Sequence, residues 1–208
     1  MATKLTQTHR DQHSKWIDLS TRHKFTLLYK ISRDGCNPEI FHRYCDNRGP
    51  TVTILYNTDK SVYGGYTAFD WKSDTEYEAD AQAFLFTLEH NGTAQAMKFP
   101  HKTDGTNAIY GKSSYGPTFG DGHDLCCFTA TINKSGNIFP LDGKVESSKS
   151  YDMKGQDFNS LINGHFNVLE LKVYSVQGRY MKLRGIFSNY NIAITKIDNE
   201  SKRMLSML

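Results

Sequence analysis

Phe41-His-Arg-Tyr-Cys-Asp-Asn-Arg-Gly-Pro-Thr-Val-Thr-Ile-Leu-Tyr-Asn-Thr-Asp-Lys-Ser-Val-Tyr-Gly-Gly-Tyr-Thr-Ala-Phe-Asp-Trp71 is the stretch whose reading decides the fold. Just upstream, Asn37 suits an N-cap and Pro38 the first helical position. Ile40, Phe41, Tyr44 and Cys45 then fall on one apolar stripe at helical spacing, which predicts a helix over 37–44. Gly49 can take a left-handed cap conformation and Pro50 cannot continue the helix. Thr51–Tyr56 reads as a strand with Val52, Ile54 and Tyr56 on one face, and Asn57–Lys60 as a turn. Val62–Tyr66 returns antiparallel, and the pair Gly64-Gly65 inside it predicts a bulge or a close backbone approach. Nothing in these 31 residues forms a recognisable reaction centre.

Outward from this stretch the chain alternates short apolar runs with turn signals. On the N-terminal side, Lys24–Ser32 reads as a strand closed by Asp34-Gly35, and Thr6–Leu19 as a short helix offering Trp16, Ile17 and Leu19 for packing. On the C-terminal side, Asp70–Ala81 is polar and acidic and reads as loop with a short helical piece. Ala83–Leu88 and Ala94–Phe99 flank Asn91-Gly92, a strong hairpin signal. A short apolar piece at Ala108-Ile109-Tyr110 and a glycine-rich turn over Tyr115–Gly122 follow. Leu125–Ile132 reads as a strand, Asp142–Gly155 as a polar loop around Tyr151, Asp157–Ile162 as one helical turn, and Phe166–Val176 as a long strand. At least seven strand segments joined by hairpin turns, without strand–helix–strand alternation, predict an α+β fold: a two-sheet antiparallel β-sandwich flanked by a few helices. The expected organisation is an N-terminal arm or short helix over 1–21, a domain over 22–176, and a C-terminal extension or linker over 177–208 with one weak strand candidate, Asn191–Ile197.

Composition narrows the classes. Among 208 residues, 25 Lys and Arg face 22 Asp and Glu, for a formal charge of +3. The basic residues are scattered rather than clustered, which argues against nucleic acid as the partner. The sequence contains no 18-residue apolar run of the kind that spans a membrane, and Met1–His13 lacks the apolar core of a signal peptide. The chain is therefore expected to be cytoplasmic, with Cys36, Cys45, Cys126 and Cys127 reduced.

Several constellations invite chemistry and are better read as structure. Gly111-Lys112-Ser113 resembles the tail of a phosphate-binding loop, but the glycine the motif needs five residues earlier is Thr106. Gly116, Gly120 and Gly122 lack dinucleotide-binding spacing and a βαβ context. His123, Cys126 and Cys127 fall short of the four paired ligands of a structural zinc site. Cys45 lies one helical turn from His42 but shares the expected buried stripe, where a thiol is inert. Cys36, placed in a loop, is a weak redox candidate. Asp74, Glu76, Glu78 and Asp80 read as a solvated loop. Asp46 and Asp124 sit at turns, where a carboxylate can bond the backbone. No cofactor or metal is expected.

The ordered set of motifs is similar to one family. Leu27-Leu28-Tyr29 on a strand is followed by a helix carrying Phe41-His42 and Cys45-Asp46, then Arg48-Gly49-Pro50-Thr51. Val62-Tyr63-Gly64-Gly65-Tyr66, Trp71 and Ala83–Leu88 come next, and the set closes with Gly116-Pro117-Thr118-Phe119-Gly120, Asp124-Leu125, Tyr151 and Leu169–Tyr174. This succession resembles the TLDc domain over about residues 22–176. The Leu-Leu-Tyr-Lys start and the Gly-Pro-Thr-Val-Thr-Ile-Leu-Tyr run look most like the N-terminal domain of the interferon-induced protein 44 group, although the phosphate-binding loop of that group's following GTPase-like domain is not in this chain. The resemblance implies a non-catalytic protein-interaction module in oxidative-stress or innate antiviral response. It implies partners such as vacuolar proton pump subunits or a following GTPase-like domain. The alternatives it leaves are a pump regulator and a thiol-based peroxide-protective enzyme. The signature positions it marks are Cys45, Asp46, Gly49, Gly64, Gly65, Trp71, Gly116, Gly120 and Asp124, with no catalytic set to carry over.

Overall fold

A computed structural model describes residues 3–18, 22–146 and 149–179. Within them the fold is α+β, built on two antiparallel sheets with four helices. In chain order the elements are α1 (Gln7–Ile17), β1 (Arg22–Lys30), α2 (Ile31–Asp34), α3 (Pro38–Cys45), β2 (Thr51–Asn57) and β3 (Val62–Thr67). They continue with β4 (Glu76–Glu78), β5 (Phe84–His90), β6 (Thr93–Pro100), β7 (Ile109–Gly111), β8 (Thr118–Phe119) and β9 (Leu125–Cys126). β10 (Phe139–Pro140), α4 (Phe158–Leu161) and β11 (Asn167–Arg179) complete the set.

The large sheet is seven-stranded, in the order β1-β11-β2-β3-β5-β6, with β10 pairing on β11. β2 and β3 pair without a slip, from Thr51 opposite Thr67 to Tyr56 opposite Val62. The late strand β11 is inserted between β1 and β2, so the two ends of the described domain are tied together in the sheet. The small sheet runs β4-β7-β8-β9.

Because strand side chains alternate, the large sheet has two apolar faces. One carries Tyr29, Leu55, Tyr63, Leu85, Leu171 and Val173 into the main core, against Phe41 and Cys45 of α3 and Phe119 of the small sheet. The other carries Val52, Ile54, Tyr66, Phe84, Phe86 and Val176, against Leu5, Trp16 and Ile17. Val52, Ile54 and Tyr56 do share a face, as their alternation predicts.

Several expectations need correction. Lys24–Ser32 is not strand throughout: it ends at Lys30, where Asp34 caps the Lys30 amide and α2 begins. Tyr44 is 38% exposed and His42 replaces it on the buried side of α3. Gly49 has no left-handed conformation; Asn47, at φ 58°, takes that role, and the Gly49–Pro50 peptide is cis. Asp70–Ala81 holds no helix but strand β4, which pairs with β7. Leu125–Ile132 contributes only Leu125 and Cys126 to a sheet, while Ile132 makes a single bridge to Cys36. The candidate strand Asn191–Ile197, together with Leu19, lies outside the described residues.

Candidate functional site

The signature positions come together as a spine joining α3, the large sheet and the small sheet. Asn37 caps α3 by accepting from the Ile40 amide, with Pro38 in the first turn. At the other end the Asp46 amide donates to His42 O at 2.9 Å and the Asn47 amide to Trp71 O at 3.1 Å. Trp71 is fully buried. Its Nε1–H donates to Thr51 Oγ1 at 2.9 Å. Its ring meets Phe41 and Phe119 edge-on, at 5.5 and 5.4 Å between centroids.

The glycines of the signature are places where chain packs on chain. A Cβ on Gly49 would lie 2.4 Å from Phe69 O, and one on Gly64 1.9 Å from Thr53 O. A Cβ on Gly65 would enter the Phe119 ring at 2.6 Å, and one on Gly116 would meet the Phe128 ring at the same distance. The Gly64-Gly65 pair is thus a close approach of the protein to itself. It is not a surface where a partner's backbone could lie, because both residues are buried. Gly120, at φ 84°, turns the chain so that Asp124 accepts from the amides of Lys149, Ser150 and Tyr151 at 2.7, 2.7 and 2.9 Å. Burial pushes the Asp124 carboxyl up, against the pull of those three amides. Tyr151 in turn donates to Ala108 O at 2.6 Å.

His42 is the member of this region that periodicity did not reveal. Its Nδ1 lies 2.6 Å from Asp46 Oδ1, and its Nε2 lies 2.9 and 3.0 Å from the carbonyls of Lys112 and Tyr115. Both ring nitrogens face acceptors, so both must donate, which is the imidazolium form. Burial pulls its pKa down; Asp46 and the two carbonyls outweigh that and the net direction is up. Asp46 also accepts from Ser73 Oγ at 2.7 Å, so one histidine fixes α3, the Lys72–Ser73 segment and the 112–115 turn. A histidine four residues before an aspartate on a helix is the sequence signal for it.

The chemical candidates lose their reactivity to burial. All four cysteines are free and buried. Burial pushes the Cys36 thiol up to about 12 and Cys126 up to about 11, and it raises Cys45 and Cys127 as well. A thiolate nucleophile needs the opposite setting, accessible and electropositive. Among the described residues no group of three His, Cys, Asp or Glu side chains could hold a metal ion. Of Gly111-Lys112-Ser113, Gly111 is the last residue of β7, and a Cβ there would meet Lys72 O at 2.6 Å, leaving no cradle for a phosphate. Asp80 is not part of a solvated acidic loop: it is buried and accepts from Thr67 Oγ1, the Ala68 amide and the Gln82 amide.

One aromatic cluster reaches the surface. Tyr77 of β4, 36% exposed, packs on Tyr110 of β7 at 4.6 Å between rings. Tyr115 and His123 adjoin Tyr110 at 5.8 and 5.6 Å, and the Lys112 ammonium sits 4.8 Å from the Tyr115 ring. Tyrosines over a rigid sheet are the side chains that anchor protein interfaces.

Residues 3–177 match the family model of the TLDc domain. The chain belongs to the TLDc family. Its matched span takes in α1 as well as both sheets. A 70-residue part is 33% identical to the MTOR-associated protein MEAK7 of Gallus gallus, and a 67-residue part is 30% identical to that of Homo sapiens. Each match covers 32% of this chain and spans only 14% and 15% of those relatives' own length. No helix among the described residues is long and apolar enough to cross a membrane.

Proposed function

We propose that this TLDc chain is a non-catalytic protein-interaction module of the cytoplasm, working in oxidative-stress or innate antiviral response. The observation that carries the reading is the match over residues 3–177, within which the signature glycines and Asp124 are engaged in packing and hydrogen bonds inside the protein, while the aromatic cluster around Tyr77 and Tyr110 is left at the surface. The similarity to the interferon-induced protein 44 group stands behind the antiviral role. The relatives' printed name, MTOR-associated, adds a second partner class, mTOR, beside peripheral subunits of the vacuolar proton pump.

The test is retention of purified pump peripheral subunits and of purified mTOR on the immobilised chain at physiological salt. Retention of one of them, lost when Tyr77 and Tyr110 are both replaced by alanine, is the expected result. Retention of neither overturns these partner assignments. Tight GTP binding by calorimetry, or a cysteine alkylated at pH 7 faster than a free thiol of pKa about 8.5, would overturn the non-catalytic reading.

A further inference from the structure

The second apolar face of the large sheet has an unusual cover. Among the described residues, what packs on it from outside the sheet is Leu5, Ala68 and α1, and α1 meets it through Trp16, Ile17 and His13. A helix held permanently on a face lined by Phe84 and Phe86 would be expected to present Leu or Ile there. α1 instead reads Gln-Thr-His-Arg-Asp-Gln-His-Ser-Lys-Trp-Ile and puts histidine at the centre. The His13 ring has no exposure and stands edge-on to Phe86 at 4.4 Å, with Trp16 at 5.6 Å and Phe25 at 6.1 Å. Neither of its ring nitrogens has a hydrogen-bond partner. Burying two unpaired polar atoms opposes docking, and charging the ring there opposes it further.

We propose that this sheet face is a docking surface for an amphipathic helix of a partner protein, and that α1 is its resident, weakly held occupant, released when His13 takes up a proton. The occupant's chemistry follows from the contacts α1 makes. It carries an aliphatic residue where α1 has His13, and a cation where His9 meets Glu89 at 3.0 Å. Its C-terminal end lies at Lys98, whose ammonium donates to Trp16 O at 2.7 Å and sits 4.4 Å from the Phe84 ring. A 210 Å³ cleft beside that end, lined by Trp16, Ile17, Tyr66, Gln82, Lys98 and Pro100, gives a longer side chain room.

The charges around His13 favour release. Arg10 lies 5.7 Å from the Phe25 ring on β1 and Lys98 approaches from β6, while His9, which precedes it on α1, is itself held towards the neutral form by burial against the pull of Glu89. Glu89 of β5 is the facing anion and is engaged by His9; Tyr66 of β3 and Tyr174 of β11 supply neutral hydroxyls. Burial, and then the nearby His9, hold the His13 pKa down at about 3. A histidine depressed in the docked state and near 6.5 in the released state favours docking at neutral pH. That preference fades as pH falls below 6.5, with about a tenfold rise in the released fraction per pH unit.

The inference deepens the reading of the chain as an interaction module, but its test uses this chain alone, so either can fail without the other. The probe is a fluorescein-labelled peptide of residues 3–18 carrying His9→Lys and His13→Leu, titrated with the full chain from pH 8 to pH 5. Binding should tighten about tenfold per pH unit below 6.5, and His13→Leu in the chain itself should weaken it at least tenfold and flatten the pH dependence. In the unaltered chain the protection factors of the α1 amides, taken against their slower intrinsic exchange in acid, should fall over the same range while those of the β3 and β5 amides stay high. No peptide binding while circular dichroism stays native, equal binding to the His13→Leu chain, or α1 exchange that tracks the core would each overturn the proposal.

Discussion

α3 and α1 are both N-capped helices that press a histidine into the protein, and they do so by opposite chemistry. On α3, His42 is met by a carboxylate and two carbonyls and is held as a cation. On α1, His13 is met by three aromatic rings and is held neutral. The sign of the proton linkage reverses between them. His42 has a raised folded-state pKa, so its contribution is fully present below about 6.5 and is lost as pH rises through the raised value. His13 has a lowered one, so its contribution is present above about 6.5 and is lost as pH falls towards 3. The same residue type thus makes α3 a clasp that acid tightens and α1 a cover that acid loosens.

The sharpest way to break the comparison is through the aromatic neighbours. Phe41 is fully buried between Tyr29 and Trp71, so Phe41→Ala should cost about 3–5 kcal/mol in urea unfolding. Trp16 on α1 is only partly buried, and Trp16→Ala should cost less than half as much despite the larger ring. Equal losses would mean that α1 is as integral to the core as α3.

Gly65 tests whether the α3 region is a spine at all. Gly65→Val drives two methyl groups towards the Phe119 ring, which is itself locked against Trp71. Overpacking of this kind costs about 1–3 kcal/mol, and the near-ultraviolet circular dichroism of Trp71 should change with it. A variant as stable as the parent, with an unchanged spectrum, would remove the glycine from the frame.

His42→Ala leaves Asp46 and two carbonyls without their donor and should cost about 1–3 kcal/mol near pH 6. The loss should shrink as pH rises, because the parent's His42 then gives up its proton. A cost that grows from pH 6 to pH 8 would show that the ring is neutral in the folded protein.

Much of this frame was legible in the sequence, because it rests on local signals. Asn37-Pro38 fixes the start of α3, Asn91-Gly92 fixes the β5–β6 hairpin, and alternation puts Val52, Ile54 and Tyr56 on one face. What was not legible depends on partners distant in the chain. Tyr44 fits the apolar stripe by hydropathy, yet His42 takes the inner position because Lys112 and Tyr115, some 70 residues away, offer it carbonyls. β4 was hidden because Glu76-Tyr77-Glu78 has a single apolar residue and exists as strand only by pairing with β7. The face under α1 was visible in β2, and the helix that covers it was visible with Trp16 and Ile17 as its packing residues. What was not visible is His13 on the same face, which only the rings of Phe25 and Phe86 place inside.

The smallest effect at neutral pH is expected from His13→Leu, and it is the one that separates a cover from a core helix. Replacing two unpaired buried nitrogens by methyl groups should stabilise the protein by about 1 kcal/mol at pH 7. Below pH 6.5 the gain should grow by about 1.4 kcal/mol per pH unit, since the parent then loses stability that the variant keeps. If His13 belonged to the global core, that growth would continue down towards pH 3. If α1 detaches on its own, the growth must stop once the parent's α1 is released, because a free helix no longer forbids the charge. A plateau in the difference between the two urea midpoints, reached while the β3 and β5 amides remain protected, is therefore the expected outcome. Its absence would make α1 an ordinary part of the fold.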